Sequence, residues 1–161
     1  MAIPEFIRDL REHIGTAELW LSSITAVVVR RLDERDVVLL VRRADNGAWS
    51  PVTGIIDPGE DPATTAVREC AEEAGVDIEV NRLCWVSATG LVVHVNGDRV
   101  RYLDHTMHCR WVAGEPRAAD DENTEARWWP LDDLPEMPEL FRARIDAALT
   151  DDPTCRIGPA H

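Results

Sequence analysis

Three carboxylates, Glu69, Glu72 and Glu73, stand at positions i, i+3 and i+4 of one short segment, with Arg68 immediately before them. On a helix all three project from the same face. Residues 61–74 carry the marks of such a helix: Asp61 can cap it, Pro62 suits its first position, and Gly75 can take the left-handed conformation beyond the last turn. Like charges this close cost a few tenths of a kcal/mol per pair unless a cation neutralises them. Carboxylate oxygens are hard ligands, which suits Mg²⁺ or Mn²⁺ and not zinc or copper. The Arg68 guanidinium can hold one carboxylate by a forked hydrogen bond. Alone, an acidic helix face of this kind is usually just solvated, so the residues around it decide.

Residues 54–76 read GIIDPGEDPATTAVRECAEEAGV. Gly54 is followed after five residues by Glu60, and after seven more by Arg68-Glu69. Then come apolar Cys70, the pair Glu72-Glu73, Gly75 and apolar Val76. This stretch resembles the 23-residue box of the Nudix hydrolase family, with every fixed position filled. The resemblance implies an α/β fold, an α/β/α sandwich whose box forms a loop, a helix and a second loop over a mixed sheet. It also implies a pyrophosphohydrolase. Water attacks a phosphorus of a nucleoside diphosphate linked to another moiety, while divalent metal ions, Mg²⁺ or Mn²⁺, hold the phosphates.

Carried over position by position, the resemblance makes Glu69, Glu72 and Glu73 metal ligands and Glu69 also a candidate base. Arg68 orients a glutamate, Glu60 braces the box, and Gly54 and Gly75 are its structural glycines. A backbone carbonyl of Thr53 or Gly54 completes a metal's coordination. Thr53 stands where the family often has a second glycine, a departure that stiffens the turn but leaves the carbonyl in place. Residues 120–128, DDENTEARW, resemble the family's acidic loop before its last strand. A glutamate there serves as a further metal ligand or as the catalytic base. Glu122, six residues before Trp128, has the matching place, and Glu125 is the second choice. The chemistry is consistent, since a metal neutralises charge developing on phosphate oxygens and lowers the pKa of a bound water.

The elements that must position these residues can be read along the chain. Ile3, Phe6, Ile7, Leu10 and Ile14 recur at helical spacing, so residues 4–14 form an amphipathic helix ahead of the sandwich. Residues 23–31 and 37–43, joined by the five-residue loop 32–36, read as an antiparallel pair with at least one strand buried on both faces. Asp45-Asn46-Gly47 is a turn, and Trp49 opens a short extended piece from which it could reach the site. Residues 78–86 and 91–95 read as strands, Asn96-Gly97 as a hairpin turn, and residues 100–112 as the return strand. Residues 115–125 form an acidic loop, 126–129 a short strand, 138–149 a last helix, and 150–161 a loose tail. The remaining tryptophans sit in strand-like contexts where packing is the usual role.

The chain has 161 residues, 45% hydrophobic and 29% charged, which fits one domain spanning 1–161. A chain of this size buries roughly 70% of its unfolded surface and needs no disulfide to fold. Thirty acidic against 17 basic residues, all of them Arg, leave a net charge of −13. That surplus repels phosphate backbones and anionic lipids, so neither nucleic acid nor membrane is an expected partner. It suits a protein that gathers divalent cations around a small-molecule nucleotide. There is no export signal and no apolar run long enough to span a bilayer. Cys70, Cys84, Cys109 and Cys155 have no metal-knuckle spacing, and a reducing cytoplasm is the default. The apolar stripe of the N-terminal helix, too wide for one small sheet to cover, points to a homodimer.

Two other readings share the fold. A nucleotide-sensing module that does not cleave its ligand typically loses box carboxylates, and here all are present. A prenyl-diphosphate isomerase would need Cys84 or Cys109 to line the pocket. The substrate is not marked: positions 90–93, where subfamilies differ by a Pro or Tyr, are Gly, Leu, Val and Val. ADP-ribose and a (deoxy)nucleoside triphosphate both remain open.

Overall fold

The computed structural model describes residues 3–159. They form, in order, α1 (Glu5–Ile14), β1 (Leu19–Leu32), β2 (Arg35–Arg43), β3 (Trp49–Ser50), β4 (Val52–Ile55), α2 (Pro62–Ala74), β5 (Asp77–Ala88), β6 (Val92–Val93), β7 (Arg99–Ala113), β8 (Asn123–Pro130), α3 (Glu139–Leu149) and β9 (Arg156–Ile157). β1 runs through the middle of a mixed sheet. One edge pairs in parallel with β7; the other pairs antiparallel, first with β4 and then with β2. The sheet continues from β2 to β3 and β8, and from β7 to β5 and β9.

Alternation along the central strands builds two cores. Ile24, Ala26 and Val28 of β1, with Leu39 and Val41 of β2, face α2 and meet its Ala66, Cys70 and Ala74. Val27, Val38 and Leu40 point the opposite way, toward Ile145 and Ala148 of α3. Alternate side chains point to opposite faces and a helix covers each face, so residues 23–28 and 37–41 are continuously buried. Each fully buried Val, Leu or Ile among them contributes about 1.5–3 kcal/mol by leaving water. The result is the α/β/α sandwich with α1 added at one end, where Ile7 packs on Leu21, Ile55 and Val100.

Four local expectations change. Asp33 and Glu34 both take positive φ (47° and 66°), so β1 and β2 are joined by a tight two-residue turn and not by a five-residue loop. Asp61 precedes α2 but makes no side-chain cap; its carbonyl instead accepts the Thr65 N–H at 3.0 Å. The strand expected at 91–95 shrinks to Val92–Val93, because His94 to Asp98 are used in closing the hairpin. The tail is not loose: β9 adds in parallel to β5, and the Trp85 indole N–H donates to the Gly158 carbonyl at 2.7 Å. The last two residues of that tail lie outside the described ones.

Candidate metal and phosphate site

α2 is held against the sheet by a close approach at its middle. A Cβ on Gly54 of β4 would overlap Cγ, Cδ and Oε1 of Glu69, so glycine there leaves the room in which the Glu69 side chain lies. Gly75 ends the helix at φ 67°, its N–H and that of Val76 donating to the carbonyls of Ala71 and Cys70. Thr53 sits in regular strand pairing opposite Thr25, with no turn for it to stiffen.

Arg68 organises the box. Its Nε and Nη2 fork onto the two oxygens of Glu60 at 2.9 and 2.8 Å, and the Thr65 hydroxyl adds a third bond to Glu60 at 2.7 Å. Nη1 donates to Glu69 at 3.0 Å and to Glu72 at 3.2 Å. The two neighbours of this guanidinium end up in opposite electrostatic states. Hydrogen bonds from Arg68 hold the Glu60 carboxyl down at about 2. Glu69 is only 5% exposed, and burial pushes its carboxyl up to about 7 despite Arg68. Glu73, equally buried, is also pushed up to about 7 by burial, with the Glu69 and Asp120 charges adding to the effect and the Asn123 amide, 3.2 Å away, opposing it.

The acidic loop is drawn to α2 by its backbone. Arg117 and Ala119 donate their N–H groups to the carbonyls of Ala74 and Glu73, which places the next residues over the end of the helix. There carboxylate oxygens of Glu73, Asp120 and Glu122 lie within 4.8 Å of one another. A cleft of about 550 Å³ opens between loop and helix, lined by Glu69, Glu72, Asp120, Asp121 and Glu122 together with Ile55, Asp57, Arg68 and Pro4. Among the described residues of the lining, six carboxylates therefore accompany one guanidinium. All the donors are oxygen, and the negative surplus is what a hard divalent cation compensates.

The expected residues are thus distributed in two sets. Glu69 and Glu72 share Arg68, while Glu73 joins Asp120 and Glu122 across the loop. Sequence reading had no reason to single out Asp120, Asn123 or Thr65. The acidic run was visible, but a loop has no periodicity to say which of its side chains turn inward. Glu125 is turned away, on β8 opposite Arg42, with which it pairs at 3.2 Å. Trp49 also lies elsewhere, edge-on to Trp129 at 5.3 Å in the core under α3. Trp20, expected to pack, is 58% exposed. Cys84 and Cys109 are buried in the two cores and line neither the acidic cleft nor the cavity beside α1.

Known proteins resemble this chain in sequence and in fold. Residues 22–150 match the model of the NUDIX domain family. A MutT-like protein of Streptomyces ambofaciens is 33% identical over 128 residues, covering 79% of this chain and 75% of that protein. The NAD-capped RNA hydrolase NudC of Pseudomonas aeruginosa is 35% identical over 134 residues, 80% of this chain but only 44% of NudC, so this chain spans less than half the length of that relative. The crystal structure of an ADP-ribose pyrophosphatase from Streptococcus suis superposes with a TM-score of 0.61 at 25% identity, covering 85% of this chain and 98% of the other. With the box, the mixed sheet and a family match over most of its length, the chain belongs to the NUDIX domain family, the Nudix hydrolases.

Proposed function

We propose that the chain is a divalent-metal-dependent pyrophosphohydrolase that cleaves the diphosphate of a nucleoside diphosphate linked to another moiety, ADP-ribose being the first substrate to try. The observation that carries this reading is the meeting of Glu73 of α2 with Asp120 and Glu122 of the acidic loop, which lines one cleft together with Glu69 and Glu72. These five carboxylates, with Mg²⁺ or Mn²⁺, form the reactive centre in our reading. A bound divalent ion supplies charge neutralisation on the phosphate oxygens and a more acidic water. Glu69 and Glu122 are the two candidate bases for the attacking water. Arg68 keeps Glu69 in place, and Glu60 in turn fixes Arg68. The −13 charge supports a small nucleotide as substrate over an RNA chain, and four free cysteines support a reducing compartment.

The test is a panel of nucleotides incubated with Mg²⁺, with Mn²⁺ and with excess EDTA. Turnover should need metal, fall by orders of magnitude in chelator, and return when metal is restored. Full activity in EDTA, or none on any nucleoside diphosphate derivative, overturns the reading.

A further inference from the structure

The C-terminal strand brings two cysteines together on adjacent strands, away from the acidic cleft. β9 adds to β5 in parallel, with Trp85 beside Arg156 and Val86 beside Ile157. The same register, continued one residue earlier, sets Cys84 beside Cys155. Adjacent strands lie about 4.8 Å apart, within the roughly 4.4–6.8 Å of Cα separation that a disulfide bridges. Burial pushes the Cys84 thiol up, and among the smaller influences Cys155 acts in the same direction, so the two sulfurs are within electrostatic reach. The register of β5 on β7 shifts between Leu83 and Trp85, so Cys84 stands at a bulge, where the strand can adjust locally.

The tail is fastened on both sides of this pair. Before it, the Arg82 guanidinium donates to the carbonyls of Ala148, Thr150 and Asp152 at 3.0, 2.7 and 3.3 Å. After it, the Trp85 indole donates to the Gly158 carbonyl, and the Gly158 N–H donates to the Val86 carbonyl at 3.0 Å. The Arg156 guanidinium stands 4.4 Å from the centre of the Trp85 ring. With the backbones already aligned, joining the sulfurs asks chiefly for side-chain rotation. The four cysteines differ in access. Cys70 and Cys109 are 0% exposed and Cys84 2%, whereas Cys155 is only partly buried, so an oxidant in solution meets Cys155 first. Burial also keeps Cys70 and Cys109 protonated, the latter pushed up to about 12.

We propose that Cys84 and Cys155 form a redox-controlled staple, open as two thiols under reducing conditions and closed as a disulfide when small disulfides accumulate, which locks β9 onto β5. The Cys155 thiolate attacks one sulfur of the small disulfide and expels the other half as a thiolate, leaving a mixed disulfide. The Cys84 thiolate then attacks the Cys155 sulfur, forms the Sγ–Sγ bond and releases the second half. The two cysteines lose two electrons and two protons, and the small disulfide is reduced to two thiols.

The test uses oxidised glutathione as the small disulfide. Pre-reduced protein is incubated with it at millimolar concentration, and the remaining thiols are alkylated under denaturing conditions. Mass spectrometry of the digest should show Cys70 and Cys109 alkylated and a peptide containing Cys84 joined to one containing Cys155. The melting temperature should rise by about 5–15 °C, because the link restricts the unfolded chain over a long loop, and dithiothreitol should reverse the rise. Cys84→Ala should stop at the mixed disulfide on Cys155. Cys155→Ser, a change outside the buried cores, should keep all its thiols, and neither variant should gain stability from the oxidant. The proposal is overturned by alkylation of all the cysteines in the wild type, by a mixed disulfide that persists there, or by a bond from Cys155 to any other cysteine or to a second chain. A link that leaves the melting temperature unchanged overturns it equally.

Discussion

Replacing Glu69 or Glu73 by Gln should stabilise the metal-free protein at pH 8 while destroying turnover. Both carboxyls titrate at about 7 instead of their ordinary 4.5, because burial disfavours the ion. The folded state thus binds these protons more tightly than the unfolded chain does. The corresponding stability is fully present below about pH 4.5 and is lost as pH rises through 7. At about 1.36 kcal/mol per pH unit, the gap between 4.5 and about 7 is worth roughly 3 kcal/mol for one group taken alone. A glutamine has no charge to bury and can still accept from Arg68 or Asn123. In EDTA at pH 8 each single variant should therefore melt roughly 6–12 °C above the wild type, at 2–4 °C per kcal/mol for a domain of this size. At pH 5 the gain should shrink to under about 3 °C. The double variant should gain less than the sum, since removing one charge already relieves the other. Saturating Mg²⁺ should raise the wild-type melting temperature and raise that of the variants less. Turnover should fall by about 10²-fold or more, roughly 3 kcal/mol of transition-state stabilisation. Calorimetric melts at both pH values and initial rates on the best substrate test the pair of effects together. Wild-type turnover in both variants, or a lower melting temperature at pH 8 in EDTA, would refute the reasoning.

The acidic loop gives a sharper contrast. Asp120→Asn and Glu122→Gln should each lower kcat by tenfold or more and raise the Mg²⁺ concentration needed for half-maximal rate, whereas Glu125→Gln, which only breaks the exposed pair with Arg42, should stay within about twofold of wild type. For assembly, Ile3, Leu10 and Ile14 of the N-terminal segment remain exposed, as does Trp20, so light scattering at tens of micromolar should give the mass of a dimer that Leu10→Glu shifts to monomer; a monomeric wild type counts against pairing through this helix.

Much of this site was legible because the residues that build it are close in sequence and obey helical spacing. Glu69, Glu72 and Glu73 declared a face, and Pro62 and Gly75 its ends, without reference to the rest of the chain. What the spacing could not tell was burial. Glu69 and Glu73 are nearly inaccessible while the Glu72 side chain is 58% exposed, a difference set by Gly54 on one side and the returning loop on the other. The contribution of Asp120 was hidden for the same reason, since it depends on Arg117 and Ala119 finding carbonyls at the end of α2. Long-range polar packing was equally invisible. Arg144 of α3 is 4% exposed and reaches Thr25 at 2.9 Å and Asp104 at 3.4 Å, groups separated by most of the chain. The tail strand β9 was missed because a two-residue element carries no periodicity.

The opposite states of Glu60 and Glu69 show why one arginine suffices in so acidic a box. Glu60 receives two guanidinium bonds and a hydroxyl, so it stays ionised down to about pH 2; its stabilising effect is lost only as pH falls from 4.5 through that value. Glu69 receives one bond and lies almost wholly out of water, so its charge is incompletely compensated and it keeps a proton up to about 7. Had Arg68 forked onto Glu69 instead, that carboxyl would be held ionised by a permanent partner, with less to gain from a cation. Fixing the guanidinium on Glu60 leaves Glu69 with a single bond from it, and in our reading a divalent ion completes the compensation. In our reading, metal uptake near neutral pH then releases protons, a coupling that titration calorimetry in buffers of different ionisation enthalpy would register directly.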